Sequence, residues 1–145
     1  MTTLSPDLLA KSKASLLKHE GKSNTIYNDG RGNWTIGCGY NISARGLPDD
    51  WIFNQLQSDI EYFHDQLDFT FPWYKDLSLD RQCVLIDMAF MGWRSFMQFD
   101  KMFDCCENYD WDGAERELLN SEYAKQVGQR AIDLGAGLRT GVYNV

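Results

Sequence analysis

The chain has 145 residues and a mass of 16.7 kDa, a length that buries about two thirds of the unfolded chain's accessible area and supports one real core. With 43% hydrophobic, 14% aromatic and 24% charged residues and only 3 prolines, the composition is that of a globular protein, neither disordered nor collagenous. The 14 Lys+Arg against 21 Asp+Glu leave a formal charge of -7 and no broad cationic surface, which sets aside nucleic acid and anionic membranes as partners.

The first residues carry acid, Lys and Ser among the apolar positions, and no run approaches the roughly 18 apolar residues of a spanning helix. Neither a signal peptide nor a membrane anchor is expected. Cys105 and Cys106 are adjacent and poorly placed to bridge each other, and His19 and His64 fit no metal-ligand spacing with Cys38 or Cys83. Reduced, buried thiols and no metal are expected.

Ser5-Pro6-Asp7 combines a capping residue, a proline for the first helical position and an acid for the first turn. Leu8, Leu9, Ala14, Leu16 and Leu17 return near helical period, so the pattern predicts a helix ending at His19-Glu20-Gly21. From Asn24 to Ile42 the strand formers Ile26, Tyr27, Trp34, Thr35, Ile36 and Tyr40 are interrupted by Asn28-Asp29-Gly30-Arg31-Gly32-Asn33 and by Gly37 and Gly39. That is the pattern of a small antiparallel sheet with glycine-rich turns, too small to stand without helices beside it.

From Pro48 a single stripe of Trp51, Ile52, Leu56, Ile60, Phe63 and Leu67 predicts a long helix, able to serve as a spine between two lobes. After a break at Phe71-Pro72-Trp73, further helical stripes run through Leu79, Cys83, Ile86 and Phe90, then Phe96, Phe99, Met102, Phe103 and Cys106. Shorter ones follow at Trp111, Ala114 and Leu118, and at Tyr123, Val127 and Ala131, with Ser78, Asp110 and Ser121 as N-caps. The expected class is α+β, mainly α, with a helical bundle in the C-terminal part. At helical spacing the aromatic and methionine stripes are read as core.

The segment from Glu20 to Tyr40 carries the chemistry. A carboxylate at a helix end, a second at Asp29 in a turn and a hydroxyl at Thr35 on a strand would surround one point. Glycoside hydrolysis needs an acid for the leaving oxygen and a second carboxylate to activate water or attack the sugar. Taken alone, a helix-ending Glu and a turn-forming Asp are ordinary structural features; the whole pattern is more specific. Glu20-x8-Asp29-x5-Thr35, with Tyr27, Gly32 and Thr35-Ile36-Gly37-x-Gly39, closely resembles the catalytic segment of phage-type lysozymes, the endolysin muramidases of glycoside hydrolase family 24. The likeness extends more weakly to about residue 141. Phe90-Met91-Gly92 is similar to the family's Phe-x-x-Gly cleft helix end, one residue shorter, and Gly128-Gln129-Arg130-Ala131 and Leu138-Arg139-Thr140-Gly141 are similar to its closing helix and Arg-Thr-Gly tail.

The resemblance implies one lysozyme-like domain over residues 1–145: a β-containing lobe of about 20–60, a helical lobe of about 1–19 and 61–145, a long connecting helix, and a polysaccharide cleft between the lobes. It implies a lysozyme that cuts the β-1,4 bond between N-acetylmuramic acid and N-acetylglucosamine in bacterial peptidoglycan, with inversion and without cofactor. Glu20 would be the general acid, kept protonated by partial burial; Asp29 would hold or activate the water, and Thr35 would position it. Arg130 matches an arginine that reaches back to the helix of the acid, while Tyr27, Tyr40 and Phe90 are supporting residues. Cys38 between the two glycines is a departure read as a small buried hydrophobe, and Phe90-Met91-Gly92 lacks an amide often found beside that glycine.

Arg31, Arg45, Arg94 and Arg130 are candidates to line the cleft, and the five tryptophans include surface enough for sugar stacking. Two other readings stand beside hydrolysis: a lytic transglycosylase, which has no need of Asp29 and Thr35, and a glycan-binding or virion structural module that has lost activity. A monomer is expected, made in the host bacterial cytoplasm and then released or delivered to the periplasm and cell wall.

Overall fold

The computed structural model describes residues 2–145. The protein is α+β and mainly α. It divides into two compact units, the first ending at Asn54 and the second running Gln55–Val145.

In the first unit, helix α1 (Pro6–Glu20) starts where the sequence places it. The Ser5 hydroxyl accepts the Leu8 N–H at 3.2 Å, and Gly21 closes the helix with its N–H on the Leu17 carbonyl at 3.0 Å. Three antiparallel strands follow in chain order, β1 (Ser23–Asn28), β2 (Trp34–Gly37) and β3 (Tyr40–Asn41). Tyr27 lies opposite Thr35 in the β1–β2 pair, and Thr35 lies opposite Asn41 in the β2–β3 pair. A four-residue helix α2 (Ile42–Arg45), absent from the sequence reading, is started by the Asn41 side chain, which accepts the Ala44 N–H at 3.0 Å. Tyr40 is pinned by its hydroxyl to the Gly46 carbonyl at 2.7 Å, with the Arg45 guanidinium 4.2 Å above its ring and the Trp51 ring tilted against it, centroids 4.9 Å apart.

Helix α3 (Asp49–Thr70) is the long helix of the expected stripe, and the division between units falls within it. Of the stripe only Leu67 is buried; Trp51, Ile52, Leu56 and Ile60 are exposed. A 3-10 turn (Tyr74–Asp76) occupies the break after Phe71.

The rest of the second unit is a bundle: α4 (Leu79–Ala89), α5 (Trp93–Phe96), α6 (Asp100–Glu107), α7 (Trp111–Leu119), α8 (Glu122–Val127) and α9 (Gln129–Thr140). Ser78, Asp110 and Ser121 cap α4, α7 and α8 by accepting the N–H three residues on, at 3.2, 3.0 and 3.1 Å. α9 packs against α7, α4 and α8. Tyr74, Leu85, Met88, Phe96, Met102, Leu118, Leu134 and Leu138 are fully buried, each contributing about 1.5–3 kcal/mol of transfer free energy if apolar throughout. Phe103 links the aromatic part of this core, with Phe71 at 4.6 Å and Phe96 at 5.0 Å.

The burial expected of the cysteines holds for Cys106 and partly for Cys105. All four are free, but Cys38 sits exposed in the β2–β3 turn and Cys83 lies exposed on α4. Among the described residues no helix is long and apolar enough to cross a membrane.

Candidate functional site

Glu20, Asp29 and Thr35 all belong to the first unit, and its local structure explains where each is held. Glu20 is the last residue of α1. Its side chain runs against the β2–β3 turn, so that a Cβ added to Gly39 would lie 3.0 Å from Oε2 and 3.3 Å from Cδ. Among the described residues the carboxylate takes no hydrogen bond or ion pair. The partial burial expected of Glu20 is absent, because it is the last residue of an exposed helix and is itself exposed.

Asp29 is the opposite case. It opens the β1–β2 turn, where its Oδ1 accepts the N–H of Arg31 at 2.7 Å and of Asn33 at 3.2 Å, while Oδ2 accepts the Asn33 side-chain amide at 3.0 Å. Asn28 works alongside it, its Oδ1 taking the N–H of Gly30 at 2.9 Å and of Gly32 at 3.3 Å. These donors aim at a charged carboxylate. The Arg31 N–H first, and then the Asn33 amide, hold the Asp29 carboxyl below the ordinary carboxylate value, so it is an anion in a fixed orientation at the protein surface.

Thr35 is buried, at 4% exposure, and its hydroxyl donates to the Asn33 carbonyl at 3.4 Å. That same carbonyl accepts the Asp29 N–H at 3.1 Å, so Thr35 and Asp29 are joined through Asn33. Tyr27, opposite Thr35 on β1, is half-buried. Asn33 and Gly39 are residues that the sequence reading placed in turns without giving them a role at the site. Asn33 was detectable in principle, since Asn and Asp in a glycine-rich turn mark side-chain capping of the backbone.

In the second unit, Phe90 ends α4, 40% exposed, with its ring 5.0 Å from Phe63. Gly92, at φ 111°, then turns the chain into α5, a conformation closed to residues with a side chain. Arg130 is engaged by Asp87 within this unit. Its Nε donates to Oδ1 at 3.0 Å, Nη2 donates to the same oxygen and to the Asp87 carbonyl, and the Tyr143 hydroxyl donates to Oδ2 at 3.2 Å. The hydrogen bond to Asp87 raises the Arg130 value further, and burial with the Asp87 charge pushes Tyr143 up to about 12. Both are therefore permanent donors at neutral pH. Asp87 had no recognisable sequence signal, because the partner that defines it is 43 residues away.

A hollow of about 560 Å³ opens on the same unit, lined among others by Met91, Phe99, Lys101, Glu117, Tyr123 and Gln126. A smaller one of about 330 Å³ shares Tyr123 and Gln126 and reaches Arg130. The Tyr123 hydroxyl is buried beside them without a hydrogen-bond partner among the described residues. Among those residues no group of three or more His, Cys, Asp and Glu is arranged to hold a metal ion.

No model of a known protein family matches the chain. No curated protein matches it significantly.

Proposed function

We propose that this protein is a peptidoglycan hydrolase of the muramidase type, cutting the β-1,4 bond between N-acetylmuramic acid and N-acetylglucosamine. The observation that carries the reading is the contrast between two carboxylates in one small unit. Glu20 is exposed and unengaged at the end of α1, while Asp29 is clamped as an anion by three donors. Glycosidic cleavage requires two carboxyl groups in different roles, one to protonate the leaving oxygen and one to hold the water, and Glu20 is the one left free of protein partners, among the described residues, to meet a sugar oxygen.

In this mechanism Glu20 protonates the leaving oxygen and Asp29 faces the positive charge that develops on the sugar ring. With Oδ1 already taking two N–H groups, Asp29 holds and orients the water; as that water bonds to the anomeric carbon and the bond to the leaving oxygen breaks, the water's proton passes through Asp29 to solvent. Thr35 supports this arrangement from behind, through the Asn33 carbonyl. A protein acting on the wall would be made in the bacterial cytoplasm and released or delivered to its substrate.

A second reading, a glycan-binding module without turnover, is favoured by the burial of Thr35, whose hydroxyl faces the Asn33 carbonyl. Muropeptide analysis of purified peptidoglycan separates the readings. The wild type is expected to release reducing N-acetylmuramic ends, and Glu20→Gln, folded by circular dichroism, to lose at least about 100-fold in rate. Products with 1,6-anhydro ends would mean a lytic transglycosylase. Binding of the wall with no cleavage by the wild type would overturn the catalytic reading in favour of the module.

A further inference from the structure

We propose that Gly39 is a positioning residue for Glu20, its bare Cα being the seat on which the carboxylate rests. The proposal builds on the reading of Glu20 as the acid. The side chain of Glu20 leaves a fixed point, since the next residue, Gly21, closes α1 onto the Leu17 carbonyl at 3.0 Å. From there it runs along the β2–β3 turn so closely that a Cβ on Gly39 would lie 3.0 Å from Oε2, 3.3 Å from Cδ and 3.5 Å from Cγ. Carbon contacts are comfortable at about 3.5–4.0 Å, so a side chain at residue 39 would push the carboxyl group aside from where it lies. With no hydrogen bond on the carboxylate among the described residues, this contact limits its direction on the side of the turn.

The turn contains its own control. Gly37 and Gly39 flank Cys38 at φ +67° and +80°, so both occupy backbone that strains any residue with a side chain. A Cβ at Gly37 meets nothing within 4 Å. Substituting either glycine therefore costs backbone strain, and only the change at Gly39 pushes on Glu20. Because Glu20 is exposed and its carboxyl end can swing away, that push changes the aim of the acid more than the stability of the fold. Misplacement of a reacting group by about 1 Å can cost about 100-fold in rate.

Nuclear magnetic resonance and kinetics on the full chain decide it. In the wild type a nuclear Overhauser contact is expected between the Gly39 Hα protons and the Glu20 Hγ protons; its absence overturns the seat without recourse to any variant. In Gly39→Ala the Glu20 carboxyl carbon resonance is expected to move, and kcat on peptidoglycan to fall about 10- to 100-fold below that of Gly37→Ala, with KM within about twofold. Equal kcat and equal carboxyl resonances in the two variants would overturn the proposal while leaving the muramidase reading intact. If the wild type cuts nothing, that reading fails, and the Overhauser contact still decides whether Gly39 seats Glu20.

Discussion

The backbone N–H of Asp29 and the hydroxyl of Thr35 donate to one and the same carbonyl oxygen, that of Asn33, at 3.1 and 3.4 Å. Asn33 returns the contact through its own N–H and side-chain amide, both of which go to the Asp29 carboxylate. The turn between β1 and β2 is thus a closed loop of hydrogen bonds in which the anion of Asp29 is held at both oxygens.

Replacing Asn33 by Ala removes only the amide on Oδ2. The Asp29 titration midpoint, followed by its carboxyl carbon resonance, is expected to rise toward about 3.9, the value of a free aspartate. It should stop short of it, because the Arg31 and Asn33 N–H groups still hold Oδ1. On the muramidase reading kcat falls by about tenfold with little change in KM.

The pH dependence of the wild-type turn has a definite sign. A carboxyl held below its unfolded value contributes stability that is fully present above that value and is lost as pH falls through the folded midpoint. The amide resonances of Arg31 and Asn33 should stay unchanged from neutrality down to about pH 5 and move together at a midpoint below about 3.9. A midpoint above that value would show that the clamp does not form in solution.

In the second unit, Asp87→Ala leaves the Arg130 guanidinium and the Tyr143 hydroxyl without their shared acceptor. Both members of the ion pair are partly exposed, at 30% for Asp87 and 49% for Arg130, so solvent screening reduces the loss to about 1 kcal/mol in urea unfolding. Asp87→Asn, which keeps one acceptor oxygen, should lose less.

Two glycines of α9 should respond differently to Ala. A Cβ on Gly137 would lie 2.8 Å from Val84 Cγ2 and 3.1 Å from the Tyr143 ring, where α9 meets α4. Overpacking of about 1–3 kcal/mol outweighs a gain of about 1 kcal/mol in helix propensity, and the melting temperature falls. At Gly135 the nearest neighbour is Cγ of Glu115 at 3.1 Å, in a side chain whose carboxylate accepts from Arg139 Nε at 3.2 Å, so Gly135→Ala should cost less than Gly137→Ala.

The capped helix starts were legible because they depend on neighbours three or four residues away, whereas the breaks that divide the stripes over 96–106 and 123–131, between α5 and α6 and at Gly128, were not. Ser5, Ser78, Asp110 and Ser121 each cap the helix they precede, and Gly21 ends α1. Helix α2 was missed because four residues are too few to show a period, and its cap, Asn41, sits in what reads as strand. The stripe on α3 correctly marked a helix but said nothing of which neighbour would cover it, and most of it is exposed.

For the candidate site, the sequence by itself determined the residue types, their order, and the glycine-rich turn that lets Asn28 and Asp29 cap their own backbone, since such bonds close within four residues. Which groups are engaged was decided by tertiary structure alone. Glu20 lies against Gly39, Thr35 is buried onto Asn33, and Arg130 is held by Asp87. Apart from the short step from Thr35 to Asn33, these contacts join segments far apart in the chain, and only packing brings such segments within the few ångströms over which a hydrogen bond or a steric limit acts.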